Sequence, residues 1–522
     1  MGQDISKSIT PPPLSLTDCV VDGKIDLPRY IYYKKKSFGI SIDTQFMSMS
    51  TSKKRHQDND DSCVPKKRRK RSVKKHQLFV RDDDGELREL KPKDTLWYQV
   101  YVLNDPHNDC MAQKFRMRFR LPYDSFITLH DEIKVHELFS RWCHTDATGD
   151  SSSNMKLLLL GFLRYIGRAW TLDDVEEANG ISREVNRFFL HLILEYGSTV
   201  LYKKWVIEPA LNRNVSDMEK LFQIAGFDGC IGSSDATHVP MLKCPAWASN
   251  MNKGFKLNLP SRTYNATADH SRRILCSTTE HPATWNDKTL VLYDPLLTKV
   301  KDRRVHEEYE FMLYEHDENG DIVEVCYVGV WFMVDNGYLS WSCTVPPVKD
   351  GISYKAIRFS EWLESMRKDV ECTFGIVKGR FAILRYGTRL HSIRKCDQLW
   401  LTCLALHNCL IEVDGLAENW DCGIPSDWEK INNNFESRIG TPFAITKLNR
   451  SLFGTNQKET DLPEDEDPQP ITGFKKYTIN GKRIVAKMPL NLFREYLINH
   501  FDIRYKMKTI EWPRHIPDPI IS

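Results

Sequence analysis

The 522-residue sequence contains no run of 18 apolar residues, so no segment is expected to cross a membrane as a helix. It opens without a basic stretch followed by an apolar one, and secretion is not expected. The 14 cysteines are scattered and no CxxC pair occurs. In a chain of this size without a secretory leader they read as reduced core residues. No internal repeat is evident. The net charge of +3 is small, and its uneven distribution says more than its size. What remains suits a globular protein with some disordered parts: 41% apolar and 27% charged residues. The length allows roughly two to four domains.

The basic charge is concentrated early. "KKRHQDNDDSCVPKKRRKRSVKK", residues 53–75, carries Lys66, Lys67, Arg68, Arg69, Lys70 and Arg71 in one run, preceded by Lys53, Lys54 and Arg55. Such a run repels itself and packs no core. Two basic clusters around a polar spacer fit a bipartite nuclear localisation signal, compatible with a non-specific nucleic-acid arm. Residues 1–90 are expected to form a mostly disordered leader.

A helical region is expected over 91–215. In "KFRMRFRLPYDSFITLHDEI", 114–133, Arg116, Arg118 and Arg120 read as a solvated face, with phosphate contact as the alternative. In 155–197 three helices fit. The first covers about 155–167. Thr171 caps the second, with Asp173 and Asp174 where the helix dipole favours negative charge. Asn179-Gly180 ends it, and Ser182 is positioned to cap the third. The pattern suggests a helix-turn-helix. Its last helix would offer Arg183, Asn186 and Arg187 to bases and phosphates. An ordinary three-helix bundle fits as well.

The region 216–415 changes to an α/β pattern. "CIGSSDATHVPM", 230–241, reads as a short strand running into Asp235. "SRTYNATADHSRRILCSTT", 261–279, reads as two strands joined at Asp269-His270. Asn319-Gly320 signals a hairpin. A nearly continuous apolar run, Val325 to Val334, reads as one central strand ending at Asp335. Next, Trp362, Met366, Val370, Phe374 and Val377 form the stripe of an amphipathic helix, with Glu371 at its margin. Asp235, Asp335 and Glu371 thus stand at strand ends and on the next helix, where open sheets hold ligands. Three such carboxylates are hard ligands for Mg²⁺ or Mn²⁺, and they can bridge two ions for attack on a phosphodiester. Spacing alone leaves other acids open, among them Asp269, Asp287 and Glu364. An ion pair with Arg367 is the plain alternative for Glu371.

Several ordered motifs carry a resemblance. "SSDATHVPM", "VDNGYL", "VECTFGIVKGRFAIL" and "LALHNCLI" resemble the motifs of the PIF/Harbinger transposases, a family of DDE endonucleases with an RNase H-like fold. The similarity covers roughly 115–415. It implies Asp235, Asp335 and Glu371 as the catalytic, metal-holding triad, with two Mg²⁺ (or Mn²⁺) ions, and it brings His238 near the site. The step of 36 residues from Asp335 to Glu371 (371 − 335) also resembles the family's. Ala236 stands where Gly is commoner, and Cys372 where the family often has a polar or basic residue. Asp287 resembles a family Asp outside the triad and is not assigned to metal.

The expected fold is therefore an α/β, RNase H-like catalytic domain, its mixed central sheet flanked by helices and preceded by the helical region. The resemblance further implies terminal inverted repeats as DNA substrate, a T/A-rich target, a Myb-like partner protein and nuclear localisation. Cutting two ends suggests a homodimer or higher oligomer. A non-catalytic DNA-binding regulator and a Mg²⁺ nuclease without strand transfer remain alternatives. Lys253, Lys256, Arg262, Arg272, Arg273, Lys378 and Arg380 flank the site as candidate phosphate contacts. Cys403 and His407 read as core, and "DENGD", 317–321, as a hairpin turn. Residues 416–522 form an extension with an acidic linker, 459–470. Its helical stretch, 488–501, presents Leu492, Tyr496 and Phe501 to the core or to a partner.

Overall fold

The computed structural model describes residues 79–81, 84–104, 109–143, 153–207, 215–254, 259–349, 353–414 and 477–511, with two short strands, Val20–Val21 and Lys24–Ile25. The basic run 66–71 and the acidic linker 459–470 lie outside the described residues. The described residues from 79 onward pack as one compact unit. Among the described residues no helix is long and apolar enough to cross a membrane.

The first helices are α1 (Asp109–Phe119), α2 (Tyr123–Lys134), α3 (Met155–Arg168), α4 (Leu172–Asn179) and α5 (Arg183–Tyr196). Their ends follow local chemistry. Thr171 and Asp174 close a reciprocal capping box on α4, and Gly180 ends it with a left-handed φ of 66°. Ser182 makes no capping hydrogen bond. The Glu176 carboxylate instead accepts the Arg183 N–H at 2.8 Å, taking over the first free donor of α5. Phe189, Ile193 and Leu194 of α5 share a core with Trp400, Cys403 and Leu404 of α11 (Ile393–Val413). The helical region is thus built onto the rest of the fold.

Of the three arginines of 114–120, Arg118 is exposed, Arg116 is partly buried and Arg120 is buried, so the solvated face holds only in part. Arg116 binds Asp414, Arg118 reaches Tyr101, and Arg120 is buried, its pKa lowered to about 9 by burial and by Arg168 and Arg164.

After α6 (Val215–Ile224) comes the central sheet: β1 (Cys230–Pro240), β2 (Ser261–Ala268), β3 (Ile274–Ser277), β4 (His281–Pro282), β7 (Trp331–Met333) and β8 (Thr344–Val345). Its order is β8-β7-β1-β2-β3, with β4 on β2. Strand β2 runs antiparallel to its neighbours, and β1, β7 and β8 are parallel. Taken in chain order this is the RNase H-like α/β arrangement expected from the sequence.

The apolar run Val325–Val334 is two strands, not one. β6 (Ile322–Val328) pairs with β5 (Glu310–His316) in a separate three-stranded sheet. Gly329, with φ of 119°, then redirects the chain into β7. The third strand of that second sheet is β9 (Tyr477–Ile484), parallel to β6. The following helix, α12 (Leu490–Lys506), docks on the core through Phe493, Leu497 and Phe501. Leu492 instead faces solvent.

Helix α10 (Tyr354–Arg380) covers one face of the central sheet. Its predicted stripe holds: Met366, Val370, Phe374 and Val377 are buried, with Trp362 partly so. The other face is covered by α9 (Pro295–Lys301), whose Leu296, Leu297 and Val300 meet Leu275, Phe332 and Val334.

Candidate active site

A bulge decides which way Asp235 points. Pairing of β7 with β1 runs from Trp331↔Cys230 to Phe332↔Gly232 and then Met333↔Ser233, so Ile231 is an extra residue. It lets Cys230 and Ser233 share one side of the sheet, despite their odd separation. From Ser233 onward the period of two then carries Asp235 and Thr237 to the α10 side. The contacts agree: Asp235 meets Arg367, and Thr237 meets Lys378, both from α10.

The strand does not end at Asp235. It continues to Pro240, with Asp235 opposite Ala266. The parallel partner ends instead: β7 stops at Met333, opposite Ser233, and its chain turns away through Asp335. Two residues past the last pair on each strand stand Asp235 and Asp335. This divergence of neighbouring strands is the kind of crevice in which open sheets take ligands.

Each carboxylate is held. Asp235 Oδ1 accepts the Ala236 N–H at 2.7 Å, and Asp335 Oδ1 accepts the Gly337 N–H at 2.8 Å. Arg367 joins the third acid to the first: its Nη1 lies 3.2 Å from Asp235 Oδ2 and its Nη2 3.0 Å from Glu371 Oε1. The ion pair offered as the plain alternative for Glu371 therefore exists, and it extends to Asp235. Burial pushes the Asp235 carboxyl up to about 6; Arg367 opposes this, while the charges of Asp335 and Glu371 add to it. Glu371 itself is 48% exposed and opens the site to solvent.

Two further groups crowd the site. A Cβ added at Gly337 would stand 2.9 Å from Asp287 Oδ2 and 3.0 Å from Asp335 Oδ1, so Asp287 lies beside Asp335. Asp287 opens helix α8 (Asp287–Val291). Tyr338 is buried, and its hydroxyl donates to Asn265. Burial and the charges of Asp235, Asp287 and Asp294 raise its pKa. The sequence reading missed both the reach of Arg367 and the place of Asp287. The signal for Arg367 was its position one helical turn before Glu371. Asp287 arrives from a helix beyond β4, and no local pattern announces that contact.

The other candidates separate. His238 is three residues beyond Asp235, so the strand period turns it to the opposite face, where Nδ1 pairs with Thr263 Oγ1 at 2.9 Å. Lys378 Nζ bonds Thr237 Oγ1 at 2.6 Å and the His238 carbonyl at 2.9 Å, and burial lowers its pKa to about 8. Arg380 is an interior residue: it is 2% exposed, meets Asp414 and donates to His407 Nδ1. Arg262 and Arg273 are likewise buried, paired with Asp397 and Glu412. These three are structural ion pairs, not phosphate contacts. Lys256 lies outside the described residues.

In α5, Asn186 is corrected too. It is 4% exposed, and its amide donates to the Ile181 carbonyl at 2.6 Å and accepts from Asn179 at 2.9 Å. It fixes the turn between α4 and α5 and offers nothing to a base. Arg183 and Arg187 are exposed, and Glu184 pairs with both. Cys403 and His407 are core residues, as read from the sequence.

The donor set at the crevice is carboxylate oxygen, the chemistry of Mg²⁺ or Mn²⁺. As the side chains stand, no three His, Cys, Asp or Glu residues among those described are grouped to hold a metal ion. A guanidinium occupies the space between Asp235 and Glu371.

An α/β fold of RNase H-like order, with acids where its parallel strands diverge, is the class that fold and site define. Residues 204–418 match a family model described as Plant transposon protein. That similarity supports a transposase-related identity and function for this chain. No curated protein and no solved structure matches it.

Proposed function

We propose that the chain is a DDE-type DNA transposase of the PIF/Harbinger kind. It would cut phosphodiester bonds at transposon ends and transfer the freed 3′-OH to target DNA. The observation that supports this reading is that the charges of Asp335 and Glu371 both act on Asp235, and that Arg367 bridges Asp235 and Glu371. The transposon-family match over 204–418 supports the transposase-related part of it.

Asp235, Asp335 and Glu371 are the residues that would hold two Mg²⁺ or Mn²⁺ ions, which when bound supply an activated nucleophile and stabilise the leaving oxygen. The chain's own part is positioning. The β1 bulge aims Asp235, the Asp335–Gly337 turn fixes the second acid, and α10 sets the third. Lys378 ties α10 to β1 just beyond Asp235. Exposed Arg183 and Arg187 are candidates for phosphate contacts that fix the register of the duplex. The same reading carries with it a nuclear protein, terminal inverted repeats and a T/A-rich target. It also carries a Myb-like partner and a homodimer or larger assembly.

The test is purified protein, Mg²⁺ and DNA bearing the inverted repeats that flank its gene. Nicking and joining are expected, and both should vanish in Asp235→Ala, Asp335→Ala and Glu371→Ala while DNA binding persists. Cleavage unchanged in these variants would move the site elsewhere. One observation favours a second reading, a DNA-binding regulator retaining the scaffold: Arg367 already pairs with two of the three acids. Binding without cleavage in every form would select it. Nicking without joining would mark a Mg²⁺ nuclease.

A further inference from the structure

Residues four apart on a helix share a face, so Arg367 and Glu371 of α10 point the same way. That pairing alone needs no explanation beyond a surface ion pair. Two observations set this one apart. The Arg367 side chain is only 14% exposed. It spans two elements, one Nη on the β1 acid and the other on the α10 acid. The guanidinium is therefore held between the two carboxylates.

Charge explains the placement. Asp335 stands beside Asp235, and Asp287 beside Asp335, so the crevice collects negative charge in a partly buried place. A guanidinium keeps its charge at any physiological pH, and its flat fork can engage two carboxylates at once. A divalent ion would use the same two oxygens.

We propose that Arg367 is a built-in cation. It holds Asp235 and Glu371 together in the ion-free protein, and it must leave them when a divalent ion binds. This rests on reading the acids as ion ligands. Arg367 is a positioning residue: it keeps the ligands from repelling one another and sets the free-energy threshold for ion entry. The ion then competes with an internal charge, and ion affinity is lower than the carboxylates alone would give.

The experiment uses the full chain without DNA. Mn²⁺ binding is followed by the electron paramagnetic resonance signal of the free ion, and melting temperature is read in EDTA and in Mg²⁺. Arg367→Gln should bind Mn²⁺ at least about tenfold more tightly than wild type, since a like charge near the ion is gone. It should also melt lower in EDTA and gain more from Mg²⁺. Arg367→Lys keeps one charge but cannot bridge both acids, so its affinity should fall between the two. If Arg367→Gln does not fold, Arg367→Lys carries the test by binding more tightly than wild type. Affinity equal to or below wild type in the folded variants overturns the proposal. Asp235→Asn separates the two readings. If it abolishes Mn²⁺ binding while Arg367→Gln leaves affinity unchanged, only the role of Arg367 fails. If Mn²⁺ binding survives Asp235→Asn and Asp335→Asn, the ligand assignment itself fails.

Discussion

The carboxylates of Asp287 and Asp335 press on the same glycine: a Cβ at position 337 would lie 2.9 Å from one and 3.0 Å from the other. Both atoms are ends of short side chains that can swing, so Gly337→Ala should fold. The displaced acids would no longer stand where the crevice needs them. Misplacement of about 1 Å in a reacting constellation costs on the order of 100-fold in rate. Gly337→Ala should therefore nick DNA about 100-fold more slowly, with a melting temperature close to wild type. An unchanged rate would mean that the position of Asp335 is not critical and would weaken the proposed site.

The correction at Asn186 separates stability from DNA binding. Asn186→Ala removes a buried amide and leaves the Ile181 carbonyl and Asn179 short of partners. Stranding such groups costs about 1–3 kcal/mol. The variant should unfold at lower urea concentration, yet bind DNA as wild type does when folded. Arg187→Ala is the reverse case. Its stability should change little, because an exposed pair with Glu184 contributes about 0.2–1 kcal/mol. If Arg187 touches phosphate, the salt dependence of DNA binding should become shallower by about one charge. Weaker DNA binding by folded Asn186→Ala would restore the sequence-based reading.

Much of this was legible locally. The α10 stripe, the Thr171 cap and the Asn319-Gly320 hairpin were readable because spacing and turn chemistry act over a few residues. The misreadings share a non-local cause. Val325–Val334 looked like one strand because both pieces are buried, yet they belong to different sheets. Gly329 inside the run was the available warning. Asp235 looked terminal because the strand that ends there is its partner, β7. Asn186 and Arg380 looked like contacts because their chemistry suits nucleic acid. Helical spacing argued otherwise: Asn186 lies three before Phe189, and Arg380 three after Val377, both buried positions.

His407 sets a pH prediction. Its Nε2 donates to the Arg272 carbonyl and its Nδ1 accepts from Arg380, so the ring is bound in its neutral form. Burial, then the Arg380 charge, lowers its pKa to about 3. The unfolded chain, with a His value of about 6.5, binds the extra proton first on acidification. Stability from this group is thus full above about pH 6.5 and is lost as pH falls toward 3. The upper limit is roughly 5 kcal/mol. His281, lowered to about 4 by burial and Arg262, acts in the same window. Gln at position 407 can donate and accept without titrating. His407→Gln should therefore shift the acid-unfolding midpoint, followed by tryptophan fluorescence, to lower pH. A midpoint that does not move would remove His407 as a source of acid lability.

Lys378 allows the two roles open to it to be told apart. As a tie, it joins α10 to β1 through Thr237 and the His238 carbonyl, and burial lowers its pKa from 10.5 to about 8. Between those values the unfolded chain holds the proton more tightly, so wild-type stability should rise with pH from about 8 to 10.5, by about 3 kcal/mol at most. Lys378→Met should lose that rise, which urea unfolding at pH 7.5 and pH 10 would reveal. It should also slow cleavage, because β1 and α10 carry Asp235 and Glu371 and their alignment slackens. DNA affinity and its salt dependence should stay as in wild type, since the amine is already spent on two oxygens of the protein. A salt slope lowered by about one charge would instead make Lys378 a phosphate contact, and the tie would then be secondary.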